Sequence, residues 1–134
     1  MPNDSLTIVS AISLEGIVNS FEFKGKMTKE LFYNYSKEIL IPSLNLDMTI
    51  VLDNLSSHKD IEDLFLEKGI NVLYLPPYTP EYNPIEMMWS KIKNYLRKNR
   101  SKNLDGLKEI ITKAYSTISI DDIKGWFNHC GYEV

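Results

Sequence analysis

Cysteine is nearly absent from this chain, and so are long apolar runs and any surplus of positive charge. The single thiol, Cys130, cannot form an internal disulfide, and it reads as a small buried apolar residue. Its neighbour His129 makes a two-residue pair, too small a donor set to indicate a metal site. No stretch approaches the roughly 18 consecutive apolar residues of a membrane span. The start, MPNDSLTIVS, lacks the basic and apolar regions of a signal peptide. A cytoplasmic protein without a membrane partner is expected. The net charge of −3 argues against general affinity for polyanions, and no repeat, low-complexity tract or linker is visible.

What is present is locally organised. Of 15 basic residues, six fall within residues 91–102 (Lys91, Lys93, Arg97, Lys98, Arg100 and Lys102), a stretch with no acid. The 134 residues, 43% of them hydrophobic, suit one domain with a real core. Two β-branched runs between Ser5 and Phe23, separated by Glu15-Gly16, predict a hairpin that Lys24-Gly25-Lys26 ends. Thr28 caps a helix over about 28–41, with Leu31, Phe32, Tyr35, Ile39 and Leu40 at helical spacing and Pro42 as its stop. The continuous apolar runs in MTIVLDN and INVLYLPP predict strands buried on both faces, with a short helix between them that starts at a capping Ser and ends at Gly69. Asn83 caps a helix from 84 to 98 with Pro84 at its first position and a buried stripe of Ile85, Met88, Trp89, Ile92 and Leu96. Helices at about 104–117 and 121–128 follow, Trp126 and Phe127 being expected core anchors. The order describes an α/β fold with a mixed sheet flanked by helices, in which sites form at the carboxyl ends of parallel strands.

Asp53 stands at such an end. As a lone residue it would be read as a cap for the next turn. A second acid changes the weighing, because Glu86 lies in the first turn of the helix after the following strand. A helix N-terminus favours an acid on electrostatic grounds alone. Helical spacing, however, puts Glu86 on one face with Ser90, Lys93 and Arg97. Carboxylates that hold divalent ions, beside cations that hold phosphate, are the minimum apparatus for phosphodiester chemistry: a two-metal site needs hard oxygen ligands around ions about 4 Å apart. The basic run supplies a candidate DNA-backbone patch, or else a solvated helix end. Tyr78, Tyr82 and Tyr95 either pack in the core or stack on unpaired bases. His58, five residues after Asp53, is read as a helix-surface residue or, with Asn54 and Ser90, as a support behind the ligands, rather than as a metal ligand itself.

The segments VLDNLSSHK and LYLPPYTPEYNPIEMMWSKIK, in that order and spacing, resemble the catalytic core of DDE transposases in the bacterial insertion-sequence branch of the Tc/mariner superfamily. AISLEGIV, LIPSL and WFNHCGY extend a weaker resemblance over nearly the whole chain. The resemblance implies a ribonuclease H-like fold, Mg²⁺ or Mn²⁺ as cofactor, DNA transposon ends as partner, a nucleoid-associated location, and excision and reinsertion by hydrolysis and transesterification. It aligns Asp53 with the family's second catalytic Asp and Glu86 with its Glu. It also implies a departure. The family's first catalytic Asp lies on a strand upstream of the hairpin, preceded by a helix-turn-helix region; the chain is expected to lack both, and Asp4 is not assigned to the first position. On that expectation the chain is a fragment of a split element or a decayed remnant, weak or inactive alone, with the upstream transposase segment or a second copy as partner. The alternatives are a catalytically dead DNA-binding or interaction domain on the same scaffold, and a different nuclease or integrase of that fold. The mechanism requires Asp53 and Glu86 to meet at the carboxyl edge of the sheet.

Overall fold

A computed structural model describes residues 6–45, 47–53, 59–77 and 79–133. The first two β-rich segments form strands β1 (Leu6–Ser13) and β2 (Gly16–Lys24), joined by the two-residue turn Leu14-Glu15. Thr28 then caps α1 (Lys29–Tyr35), its hydroxyl accepting a hydrogen bond from the Leu31 amide at 3.1 Å. Pro42 does not stop the chain in the way expected. Helical geometry widens into a π turn over Ser36–Leu40 and then tightens into a 3₁₀ turn over Ile41–Ser43. Pro42 falls in the first turn of that short helix, where its missing N–H leaves no intrahelical bond unmade. The chain becomes extended only at Leu44.

Strands β3 (Thr49–Leu52) and β4 (Asn71–Tyr74) pair in parallel, Thr49 opposite Asn71 and Leu52 opposite Tyr74. Between them runs α2 (Lys59–Glu67), the right kind of crossover for a parallel pair. Gly69, at φ +80°, ends it with a left-handed turn in which the Ile70 amide donates back to the Phe65 carbonyl at 3.1 Å. The capping Ser expected before α2 lies outside the described residues. Ile61, Leu64 and Phe65 form the buried face of α2, as the helical spacing requires.

Two expectations about the sheet are corrected. The first is burial on both faces: Ile50, Leu52 and Val72 pack on the core of Tyr35, Leu40, Ile61, Phe65 and Ile70, whereas Leu73 on the other face is 47% exposed. An unbroken apolar run cannot reveal this, because alternation is lost when both faces carry apolar side chains. The second is a single mixed sheet. Among the described residues there are two small sheets, β1–β2 and β3–β4. Val9, Ala11 and Val18 of the hairpin reach the same apolar cluster as Ile50 and Val72, so the two sheets share a core through side chains rather than through backbone hydrogen bonds.

The remaining elements are helical: α3 (Ile85–Lys98), α4 (Leu104–Ser116) and α5 (Ile120–His129). Met88, Ile92 and Ala114 form their core, with Ile12, Trp89, Leu96, Tyr115 and Trp126 packed around it. Trp126 thus joins this core while half-exposed; the buried residue of α5 is Ile123. Packing divides the chain into two compact units, residues 1–11 with 17–80, and residues 12–16 with 81–134. No helix among the described residues is long and apolar enough to cross a membrane.

The asymmetry of the β3–β4 sheet has a measurable consequence. Phe65→Ala should cost about 3–5 kcal/mol, because a fully buried ring leaves a cavity. Leu73→Ala, on the open face, should cost about 1 kcal/mol or less. Equal losses in urea unfolding would show that the second face is covered.

Candidate functional site

The parallel register places Asp53 one residue beyond β3, at the carboxyl edge of its sheet, where it is exposed. The edge is well defined, because the Leu75 amide donates to the Leu52 carbonyl at 2.9 Å and prolongs the ladder by one bond. The segment that continues toward α3 leaves from this same edge. Asn54 and His58 lie outside the described residues, as does Tyr78.

Glu86 belongs to the helical unit and occupies the first turn of α3. The helix begins at Ile85, one residue later than the sequence suggested. Asn83 still serves its start: its carbonyl accepts from the Glu86 amide at 3.0 Å and its side-chain oxygen from the Ile85 amide at 3.4 Å. With Met88 and Ile92 turned into the core, Glu86, Ser90, Lys93 and Arg97 form one exposed line on the opposite side. Lys98, Arg100 and Lys102 continue the exposed basic surface beyond it. These are the residues the structure brings together. The helix N-terminus favours the carboxylate of Glu86, and its C-terminus favours Arg97 and Lys98.

Lys91 is placed differently from the other cations. Its ammonium donates to the Asp122 carboxylate at 2.7 Å and to the Thr117 carbonyl at 3.0 Å, tying α3 to the start of α5. Asp122 also completes a reciprocal cap with Ser119, accepting from the Ser119 amide at 3.0 Å while the Ser119 hydroxyl accepts from the Asp122 amide. The hydrogen bond from Lys91, followed by that from Ser119, holds the Asp122 carboxyl below the usual carboxylate range. Sequence inspection missed this partner for Lys91, although the Ser119 to Asp122 spacing that announces the cap is visible. Tyr95 packs in the helical core, and Tyr82 is exposed. Cys130 is buried, and desolvation raises its pKa, so the thiol stays protonated at neutral pH.

Asp53 and Glu86 offer hard oxygen donors of the type that Mg²⁺ and Mn²⁺ prefer. Among the described residues, no three His, Cys, Asp or Glu side chains converge on one point. Each acid is therefore the right donor in kind, and neither belongs to a cluster of three such side chains among the described residues.

With that geometry in place, the class of protein can be stated. A family model described as DDE superfamily endonuclease matches residues 2–108, which takes in β1 to β4, α1 to α3 and both candidate acids. The chain belongs to this family. Its members generally use divalent metal ions and act on DNA. No curated protein matches the chain.

The Lys91–Asp122 contact can be tested by pH. A carboxyl with a lowered folded-state pKa stabilises the protein above its unfolded value of about 4, and that contribution disappears as pH falls through the folded value. Asp122→Asn keeps an acceptor for the cap but removes the charge. It should destabilise by about 1 kcal/mol or less at pH 7, since the pair is partly exposed. The gap from the unmodified chain should close in urea titrations as pH falls below about 4. A gap of constant size would exclude the charge as its cause.

Proposed function

We propose that this chain belongs to the catalytic domain of a transposase in the insertion-sequence branch of the Tc/mariner superfamily, with a ribonuclease H-like architecture. In the complete enzyme it cuts DNA at transposon ends and joins the freed strand to a target. The observation that carries this reading is the exposed line on α3, where an acid in the first turn is followed by two cations within the family match. Asp53 and Glu86 are the proposed metal-binding carboxylates and catalytic residues. These carboxylates would hold Mg²⁺ or Mn²⁺, which would supply charge stabilisation for an in-line displacement at phosphorus. Lys93 and Arg97, with Lys98, Arg100 and Lys102 beyond, contact the DNA backbone and fix its register without reading its sequence. In cleavage, the oxygen of water bonds to phosphorus as the 3′ oxygen leaves. In strand transfer, a DNA 3′ hydroxyl is the nucleophile and displaces the corresponding oxygen of the target strand.

Two carboxylates are fewer than a two-metal site uses, and the proposed partner, an upstream transposase segment or a second copy, would supply a third. The chain by itself is therefore proposed to be weak or inactive. A second reading, a DNA-binding remnant without chemistry, is favoured by the lack of three converging ligands among the described residues.

Nicking assays and salt titrations separate these readings. The purified chain with Mn²⁺ should not nick duplex DNA carrying transposon ends; nicking that Asp53→Ala abolishes would show that the chain is complete enough to act. DNA affinity should fall with salt. Removing Lys93 and Arg97 together should lower the slope of log affinity against log salt by about 1.8, at about 0.9 per lost phosphate contact. Lys91→Met should leave the slope unchanged because Asp122 already neutralises that ammonium. Equal slopes for all three proteins would remove α3 from the DNA interface.

A further inference from the structure

We propose that α5 and the residues after it brace the first turn of α3, and that Tyr132 is a positioning residue for Glu86. The brace begins where α5 ends. Gly131, at φ +96°, reverses the chain, and the Tyr132 amide donates back to the Phe127 carbonyl at 2.9 Å. The Tyr132 ring is then held edge-on against Phe127, with ring centres 5.7 Å apart. This geometry directs its hydroxyl to the Tyr82 carbonyl, to which it donates at 2.8 Å. Tyr82 closes the 3₁₀ turn Pro80–Tyr82, and the next residue, Asn83, accepts the Glu86 amide. Two hydrogen bonds and one covalent step thus separate the Tyr132 hydroxyl from the backbone of Glu86.

A second grip lies on the other side of the acid. Lys91, five residues beyond Glu86, is bound to Asp122 and to the Thr117 carbonyl. The start of α3 is consequently flanked, before and after Glu86, by contacts to α5 and its tail. The turn needs such support. Pro80, Glu81 and Tyr82 of the 3₁₀ turn that leads into it are all exposed, and segments with few buried contacts open first. A displacement of about 1 Å at a reacting group can reduce rate a hundredfold, so fraying there would matter for a ligand in the first turn. Neither Asp122 nor Tyr132 falls in the family match, which ends at residue 108.

The positioning role rests on Glu86 being a metal ligand, and two readouts keep the ideas apart. Tyr132→Phe removes only the hydroxyl and leaves the ring on Phe127. Hydrogen exchange should quicken about fivefold over residues 81–87, the loss of one hydrogen bond, with no change in α4. In Mn²⁺ titrations followed by NMR line broadening, Glu86→Gln should abolish broadening at residues 85–88. Tyr132→Phe should raise the Mn²⁺ concentration for half-broadening there several-fold. Unchanged exchange overturns the brace. Faster exchange with an unchanged Mn²⁺ midpoint overturns the positioning role. Absence of broadening near Glu86 in the unmodified chain overturns the metal assignment, and the positioning role with it, whatever the exchange rates.

Discussion

Four residue pairs, Thr49 to Leu52 against Asn71 to Tyr74, run parallel, so both strands finish at one edge of their sheet. That arrangement sets where chemistry can sit in the first unit. Asp53 emerges at the edge, and the chain bound for α3 departs from it. A slip of one residue would turn Ile50, Leu52 and Val72 away from the core of Ile61, Phe65 and Ile70. The register is therefore enforced by burial, and the position of Asp53 follows from the same apolar contacts that hold the sheet against α2.

Glu86 is placed by an equivalent division of faces on a helix. Met88 and Ile92 define the inner side of α3, which leaves Glu86, Ser90, Lys93 and Arg97 outside. Burial also separates cations that look alike in sequence. Lys91 lies to the side of this line and reaches one acceptor at the end of α4, the Thr117 carbonyl, and one at the start of α5, the Asp122 carboxylate. Lys93, two residues on, projects from the exposed face. Lys91 thus joins helices, while Lys93 and Arg97 face solvent.

The elements were legible where local signals agreed. Thr28, Gly69 and the stripe from Ile85 to Leu96 each specified a boundary or a face on chemical grounds, and the helices form within a residue or two of those limits. The illegible parts are those that depend on distant residues. Whether Leu73 meets a partner depends on what covers the sheet, which its own neighbours do not encode. The π and 3₁₀ turns before Leu44 arise because Pro42 is accommodated in the first turn of a new short helix, a choice that packing of Tyr35 and Leu40 can impose against a stop signal. At the site, the residue types and spacing around Asp53 and Glu86 identified the family, but the partner of Lys91 lies 31 positions away and that of Tyr82 lies 50 away. Contacts at that separation are products of the fold.

Charge distribution reconciles an acidic chain with a polyanionic partner. The unit containing Asp53 carries 10 acidic and 6 basic residues, whereas the unit containing Glu86 carries 8 acidic and 9 basic. Within the second unit, pairing with Asp122 neutralises Lys91, while Lys93, Arg97, Lys98, Arg100 and Lys102 remain exposed along and just beyond α3. The exposed cations of this helix would attract a phosphate backbone more than the acidic first unit does, which would orient its approach. That helix also carries Glu86. An acid among cations would weaken phosphate binding if it served only as a surface charge; occupied by a divalent ion, it adds positive charge to the same surface. The arrangement is coherent as a DNA-processing site when the carboxylate holds metal, and is internally opposed when it does not.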